Sequence, residues 1–252
     1  MVNIDTVAAL LAKAEATDNE AEAAAYLAKA QHLATLGAID LELAAASKPD
    51  ARSRMVVRRI EVGRRRAHLN VHLIELFATI GHANDVVIDI AHNNTFLYAF
   101  GTTGDVDTAE TMWLAAAPHM VDGLRRWVRS GAWKSTSYGY QTVREAKAAW
   151  AHGYTARIDV RLRQARSDAI AEHDHTAAAD GGVGGGELVL VAKKDKVSGW
   201  HAQQSKARGS WAGYRGGMGS SQARSAGYAA GEHAPLSRPR QVGGRGRLSA
   251  TG

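Results

Sequence analysis

Between residues 140 and 172 apolar side chains return every three or four positions, at Val143, Ala146, Trp150, Tyr154, Ile158, Leu162, Ala165 and Ala169. A stripe of that length in an otherwise charged segment predicts a long amphipathic helix, which needs a surface to lie on and so forms the spine of the fold. Along the same ridge Trp150, Tyr154, Arg157 and Arg161 follow at steps of four, three and four, setting two guanidinium groups beside two aromatic rings. Two readings of that ridge are open. Arg stacks on rings and pairs bidentately with phosphate or carboxylate, so the four side chains would frame an anion or nucleobase site. Alternatively the Arg stems lie over aromatic core edges with their heads in water, the commoner use of such side chains.

Upstream, Ile4, Val7, Ala8, Leu11 and Ala14 share one helical face, and Thr17 with Glu20 forms a capping box for a second helix through Ala23, Tyr26, Leu27, Ala30, Leu33 and Ala34. Gly37 stands where a left-handed C-terminal cap is wanted, and Asp40 can start a third turn, so an αα-hairpin is expected. A linker with Pro49 leads to a strand over 55–62, which Arg58 and Arg59 make a poor central strand. Arg64, Arg65 and Arg66 open a helix through Leu69, Leu73, Leu76, Phe77 and Ile80, stopped by Gly81. Residues 85–91 and 95–101 form an antiparallel pair around His92-Asn93-Asn94, since Asn tolerates a tight turn. Asp105 and Asp107 cap the next helix, whose stripe runs from Val106 to Val128 and which Pro118 is expected to kink. After the spine, DGGVGGG at 180–186 breaks the chain, and 187–192 is expected to return as a strand. A helix over 195–208, a Gly-rich stretch, a small-residue helix over 221–232 and a disordered tail complete the sequence.

The fold class is therefore α+β. An N-terminal αα-hairpin precedes a small, mostly antiparallel sheet of about four strands, covered by long helices over 65–81, 105–130 and 141–172, with a basic Gly-rich C-terminal segment. The expected domains are a helical hairpin at 1–47, an α+β core at 54–208 and a basic Gly/Arg-rich, partly disordered segment at 209–252.

The 252 residues contain no cysteine, which excludes disulfides, thiolate metal sites and cysteine nucleophiles. No run approaches the roughly 20 apolar residues of a membrane span. The first residues lack a basic n-region, and Lys13 and Glu15 interrupt the apolar stretch, so a cytoplasmic protein with no membrane partner is expected. The net charge of +6 favours an anionic partner. The bias concentrates after residue 192, where eleven Lys and Arg stand against Asp195 and Glu232. Lys206, Arg208, Trp211, Tyr214 and Arg215 mix cations, rings and glycines as single-strand binders do, and Arg238, Arg240, Arg245 and Arg247 extend the charge. An ordinary solvated loop and tail is the plainer alternative. Arg64 to Arg66 would meet phosphates at a helix start or mark a solvated helix entry.

His173-Asp174-His175, after Glu172, has metal-ligand chemistry but no zinc-hydrolase spacing, and a frayed helix end explains it better. Asp105, Asp107 and Glu110 are accounted for by capping. DGGVGGG lacks the lysine of a phosphate loop and precedes no predicted helix. No catalytic residue, metal or cofactor is expected.

The N-terminal hairpin resembles the opening of bacterial and phage proteins catalogued as domain of unknown function 2786. The likeness rests on Leu10 and Leu11, Asn19 and Glu20, Glu22, Ala28-Lys29-Ala30-Gln31 and Gly37-Ala38-Ile39. Looser similarity to actinobacterial members continues through 100–110, 150–162, 188–191 and 226–234. The resemblance implies architecture and a bacterial or phage-infected cytoplasm, and carries over no catalytic residue. The expected function is a non-enzymatic accessory protein that binds nucleic acid electrostatically. The alternative is an assembly module with a protein partner held through residues 3–37. A metal-dependent hydrolase or nuclease comes third.

Overall fold

The computed structural model of the chain describes residues 10, 13, 20–45, 53–134, 142–181, 184–217 and 219–235. They form six α-helices and a three-stranded sheet: α1 (Glu20–Ala45), β1 (Met55–Glu61), α2 (Asn70–Ala83), β2 (Val87–Ile90), β3 (Phe96–Thr102), α3 (Thr103–Arg129), α4 (Val143–Ala179), α5 (Gly186–Gln204) and α6 (Ser221–Glu232). The first helix of the expected hairpin lies outside the described residues, save Leu10 and Lys13, and so does the tail from 236 onward.

The sheet is antiparallel in the order β1-β3-β2. Met55 pairs with Thr102 and Glu61 with Phe96 across β1 and β3, and Val87 pairs with Phe100 across β2 and β3. The hairpin turn takes the form expected of Asn, with Asn94 at φ 57° and its N–H donated to the Ala91 carbonyl at 2.8 Å. Alternation turns Ile60, Leu97 and Ala99 inward, where they join Ile74, Phe77 and Ile80 of α2 and Val106, Ala109 and Met112 of α3 in one buried cluster.

α4 is the spine. Thr142 and Glu145 form a reciprocal capping box at its start, and the expected stripe is buried from Ala146 to Ala169, whereas Val143 in the first turn is exposed. At ~1.5 Å per residue it is about 55 Å long, which lets α1, α2, α3 and α6 all pack along it. α6 comes closest. A Cβ added at Gly227 would overlap the Trp150 carbonyl, one at Gly153 the Arg224 carbonyl, and one at Gly231 would stand 2.7 Å from the Tyr154 backbone carbonyl oxygen.

Four expectations are corrected. Residues 187–192 are helix α5 and not a strand, so the sheet has three strands. A five-residue apolar run does not distinguish the two states, and burial of Leu190, Lys193 and Val197 with Leu188 74% exposed follows the helical period. α1 runs through Gly37 to Ala45 because Gln31, Thr35 and Ile39 continue its buried face. α2 starts at Asn70, since Arg64 to Ala67 form a turn with Arg66 at φ 65°. α3 is capped by Thr102, whose hydroxyl accepts the Asp105 N–H, and it passes unbroken through an exposed Pro118.

Candidate nucleic-acid interface

The aromatic and Arg ridge of α4 faces inward. Trp150 and Tyr154 are 1% and 0% exposed, with rings 5.6 Å apart and 17° from parallel. Tyr154 donates to the Ala116 carbonyl at 3.1 Å and lies 3.0 Å from His119 Nδ1. Arg157 is taken by Glu232 and the Tyr228 hydroxyl, and Arg161 donates to the Gly231 and Ala234 carbonyls at 2.9 and 3.1 Å. The two guanidinium groups thus hold the C-terminal end of α6, a favourable place for cations. With α6 in place neither ring reaches an external ligand, and the site expected on this ridge is replaced by packing.

Burial pushes the Tyr154 phenol up, and burial with help from Arg126, His233 and Arg161 pushes His119 down from 6.5 to about 4, Asp122 opposing weakly. His119 is neutral when folded but charges below its ordinary value once unfolded. Its contribution is therefore intact above pH 6.5, declines between there and about pH 4, and amounts to about 3 kcal/mol. Urea unfolding at neutral and mildly acid pH should give a smaller pH difference for His119→Gln than for the parent chain; an equal difference would refute the assignment.

The remaining basic residues cluster at the opposite, hairpin end of the sheet. Thr95 at the β2–β3 turn accepts the Val62 and Gly63 N–H groups at 2.8 and 3.2 Å, which brings the Arg64-Arg65-Arg66 turn alongside. From the other side, Trp211 Nε1 donates to Asn94 Oδ1 at 3.0 Å, Tyr214 N–H donates to Glu75 at 3.2 Å, and the Tyr214 ring lies 5.1 Å from that of His72. The 205–215 segment is thereby anchored beside the same turn. Arg64, Arg65, Arg66, Lys206, Arg208 and Arg215 are all exposed, and none is in an ion pair among the described residues. The nearby carboxylates are occupied: Asp89 accepts from His201 and Ser205, Glu61 pairs with Arg59, and Glu75 with His72. Burial pushes Glu75 up, but His72 and the Tyr214 N–H outweigh it and hold the carboxyl below its usual range. Trp211 and Tyr214 are half-buried anchors, and Arg238, Arg240, Arg245 and Arg247 lie outside the described residues.

A second constellation was not foreseen. Lys193 of α5, 3% exposed, reaches Asp105 at 2.7 Å and Asp85 at 3.4 Å, while Arg166 of α4 grips Asp85 with both terminal nitrogens and donates to the Ala83 carbonyl at 2.9 Å. Thr102 donates to the other Asp105 oxygen at 2.6 Å. Burial pushes the Asp105 carboxyl up, against the Lys193 ammonium. This buried network joins α3, α4, α5 and the α2–β2 turn, and replaces the capping role expected of Asp105. Asp107 with Glu110 instead binds Arg58.

Other candidates are used structurally. Asp174 accepts the Gly185 and Gly186 N–H groups at 2.9 Å each and lies 3.2 Å from His173; the Gly186 N–H, His173 and the Gly185 N–H hold its carboxyl below the usual range. It thus tethers the start of α5. Among the described residues no group of three His, Asp or Glu side chains is placed to hold a metal ion. No helix among them is long and apolar enough to cross a membrane. On α1, Ala30, Gln31, Thr35 and Ile39 are buried within the chain itself.

Residues 4–41 match the family model described as Protein of unknown function (DUF2786), over the stretch that carries the resemblance. No curated protein and no solved structure matches the chain.

Proposed function

We propose that the protein is a non-enzymatic accessory protein that binds nucleic acid through the basic end of its sheet. The carrying observation is that six exposed cations, from two segments more than 130 residues apart in sequence, flank one hairpin turn without ion partners among the described residues. Phosphates supply the missing counter-charge, so binding is electrostatic and weakly selective for sequence. The surrounding carboxylates do not oppose it, because each is engaged by a neighbouring side chain or N–H. The setting of this reading is the cytoplasm of a bacterium or a phage-infected cell.

Fluorescence polarisation of the purified, nuclease-treated full chain against labelled DNA and RNA at several salt concentrations tests the proposal. Binding is expected to weaken steeply with salt. Replacing Arg64, Arg65 and Arg66 together by alanine lowers the slope of log K against log salt by about 2 to 3. Absence of binding at low salt overturns it and turns attention to a protein partner.

A further inference from the structure

The outer face of the sheet is covered over only part of its length. Alternation places Val57, Arg59 and Glu61 of β1, Phe96, Tyr98 and Phe100 of β3, and Asp89 of β2 on that side. α5 closes one end, where the Phe100 ring meets Trp200 at 6.0 Å and His201 at 4.7 Å, and its C-terminal turn reaches Asp89, level with Tyr98 on β2, through His201 and Ser205. The hairpin end stays open. There Tyr98 is 39% exposed, Phe96 meets Tyr98 edge-on at 5.4 Å, and the Arg59 guanidinium lies over the Phe96 ring at 4.1 Å; Val57, level with Phe100 on the edge strand, is 46% exposed. Phe96 directly follows the turn that the Arg64–Arg66 and 205–215 segments flank.

We propose that Tyr98 and the Arg59 plane stacked on Phe96 form a platform for the bases of single-stranded nucleic acid, whose phosphates run along the adjoining cations. This rests on the nucleic-acid reading above and adds to it the strandedness of the partner and the place where bases lie. A duplex hides the faces of its bases, whereas a single strand presents them to rings and guanidinium planes. Rings exposed on a sheet and bordered by unpaired cations match a polyanion that carries flat apolar groups. An acidic protein surface would satisfy the cations but leave the rings without stacking partners. Every base has a π-face, so the platform is tolerant of sequence.

The test uses the full chain with labelled oligothymidylate and oligouridylate beside a hairpin duplex of equal charge, at low salt, together with ultraviolet crosslinking mapped by mass spectrometry. Tyr98→Ala is expected to weaken single-strand binding about tenfold and leave duplex binding unchanged, with crosslinks falling in β3. Tyr98→Leu keeps the apolar bulk without a π-face and guards against a folding effect: it should lose affinity like Tyr98→Ala while melting like the parent chain, and Tyr98→Trp should restore binding. Single-strand affinity unchanged in Tyr98→Ala, or equal losses on single strand and duplex, overturns the platform. If salt-sensitive binding persists in that case, the electrostatic function survives without it. If the parent chain binds nothing at low salt, both fall.

Discussion

Lys193→Met is expected to lower the free energy of unfolding by about 3–5 kcal/mol, the usual loss when one partner of a buried ionic network is removed. Lys193 is almost wholly enclosed and lies between Asp105 at 2.7 Å and Asp85 at 3.4 Å. Asp85 would keep Arg166, whereas Asp105 would keep only the Thr102 hydroxyl against the burial that already pushes its carboxyl up. Two further results separate this from simple loss of packing. The deficit should shrink as pH falls, because a protonated Asp105 needs no counter-ion. Lys193→Met combined with Asp105→Asn should recover most of the stability, since the uncompensated charge is gone. Urea unfolding checks all three arms; a pH-independent loss below about 1 kcal/mol for the single variant would contradict the assignment.

Gly227→Ala is the second change with a large expected effect, and its sign is informative. At an open helical position this substitution stabilises by about 1 kcal/mol, as expected for Gly199→Ala in α5, where an added Cβ meets nothing within 4 Å. At Gly227 the new Cβ would overlap the Trp150 carbonyl, backbone that cannot swing aside. The expected result is a net loss of about 2 kcal/mol, with α6 displaced from α4. Thermal melts report the opposite signs of the two variants, and hydrogen exchange should rise across 221–232 only in Gly227→Ala. A stabilised Gly227→Ala would show that the two helices do not approach as described.

What could be read from the sequence was local. The α4 stripe from Ala146 to Ala169 is a periodic signal within one element, and the Asn94 turn is a conformational preference of its own residue; both are found as expected. Whether Trp150, Tyr154, Arg157 and Arg161 faced solvent depended on α6, whose contact residues come 70 or more positions later, so the ridge pattern could not tell a ligand site from a helix seat. Glycines 153, 227 and 231 were the available clue, since small residues at a four-residue step permit close helix approach, but the same residues also suit flexible chain. The Asp85–Arg166–Lys193–Asp105 network had no local signature: its partners are drawn from three helices and a turn. The open sheet face required knowing that β3 is central and that α5 leaves Tyr98 exposed.

The position of α4 along the chain also sets an order of assembly during synthesis. α1 is made early, yet the helix it packs on follows the entire sheet and α3. At ordinary translation rates the nascent α1 waits on the order of ten seconds for that helix, with Ile39 and its apolar neighbours unburied. During that interval the emerging chain presents an incomplete core, a state suited to a holding chaperone. Once α4 is complete, α1 can dock, and α6, the last of the described helices to be made, closes over Trp150 and Tyr154.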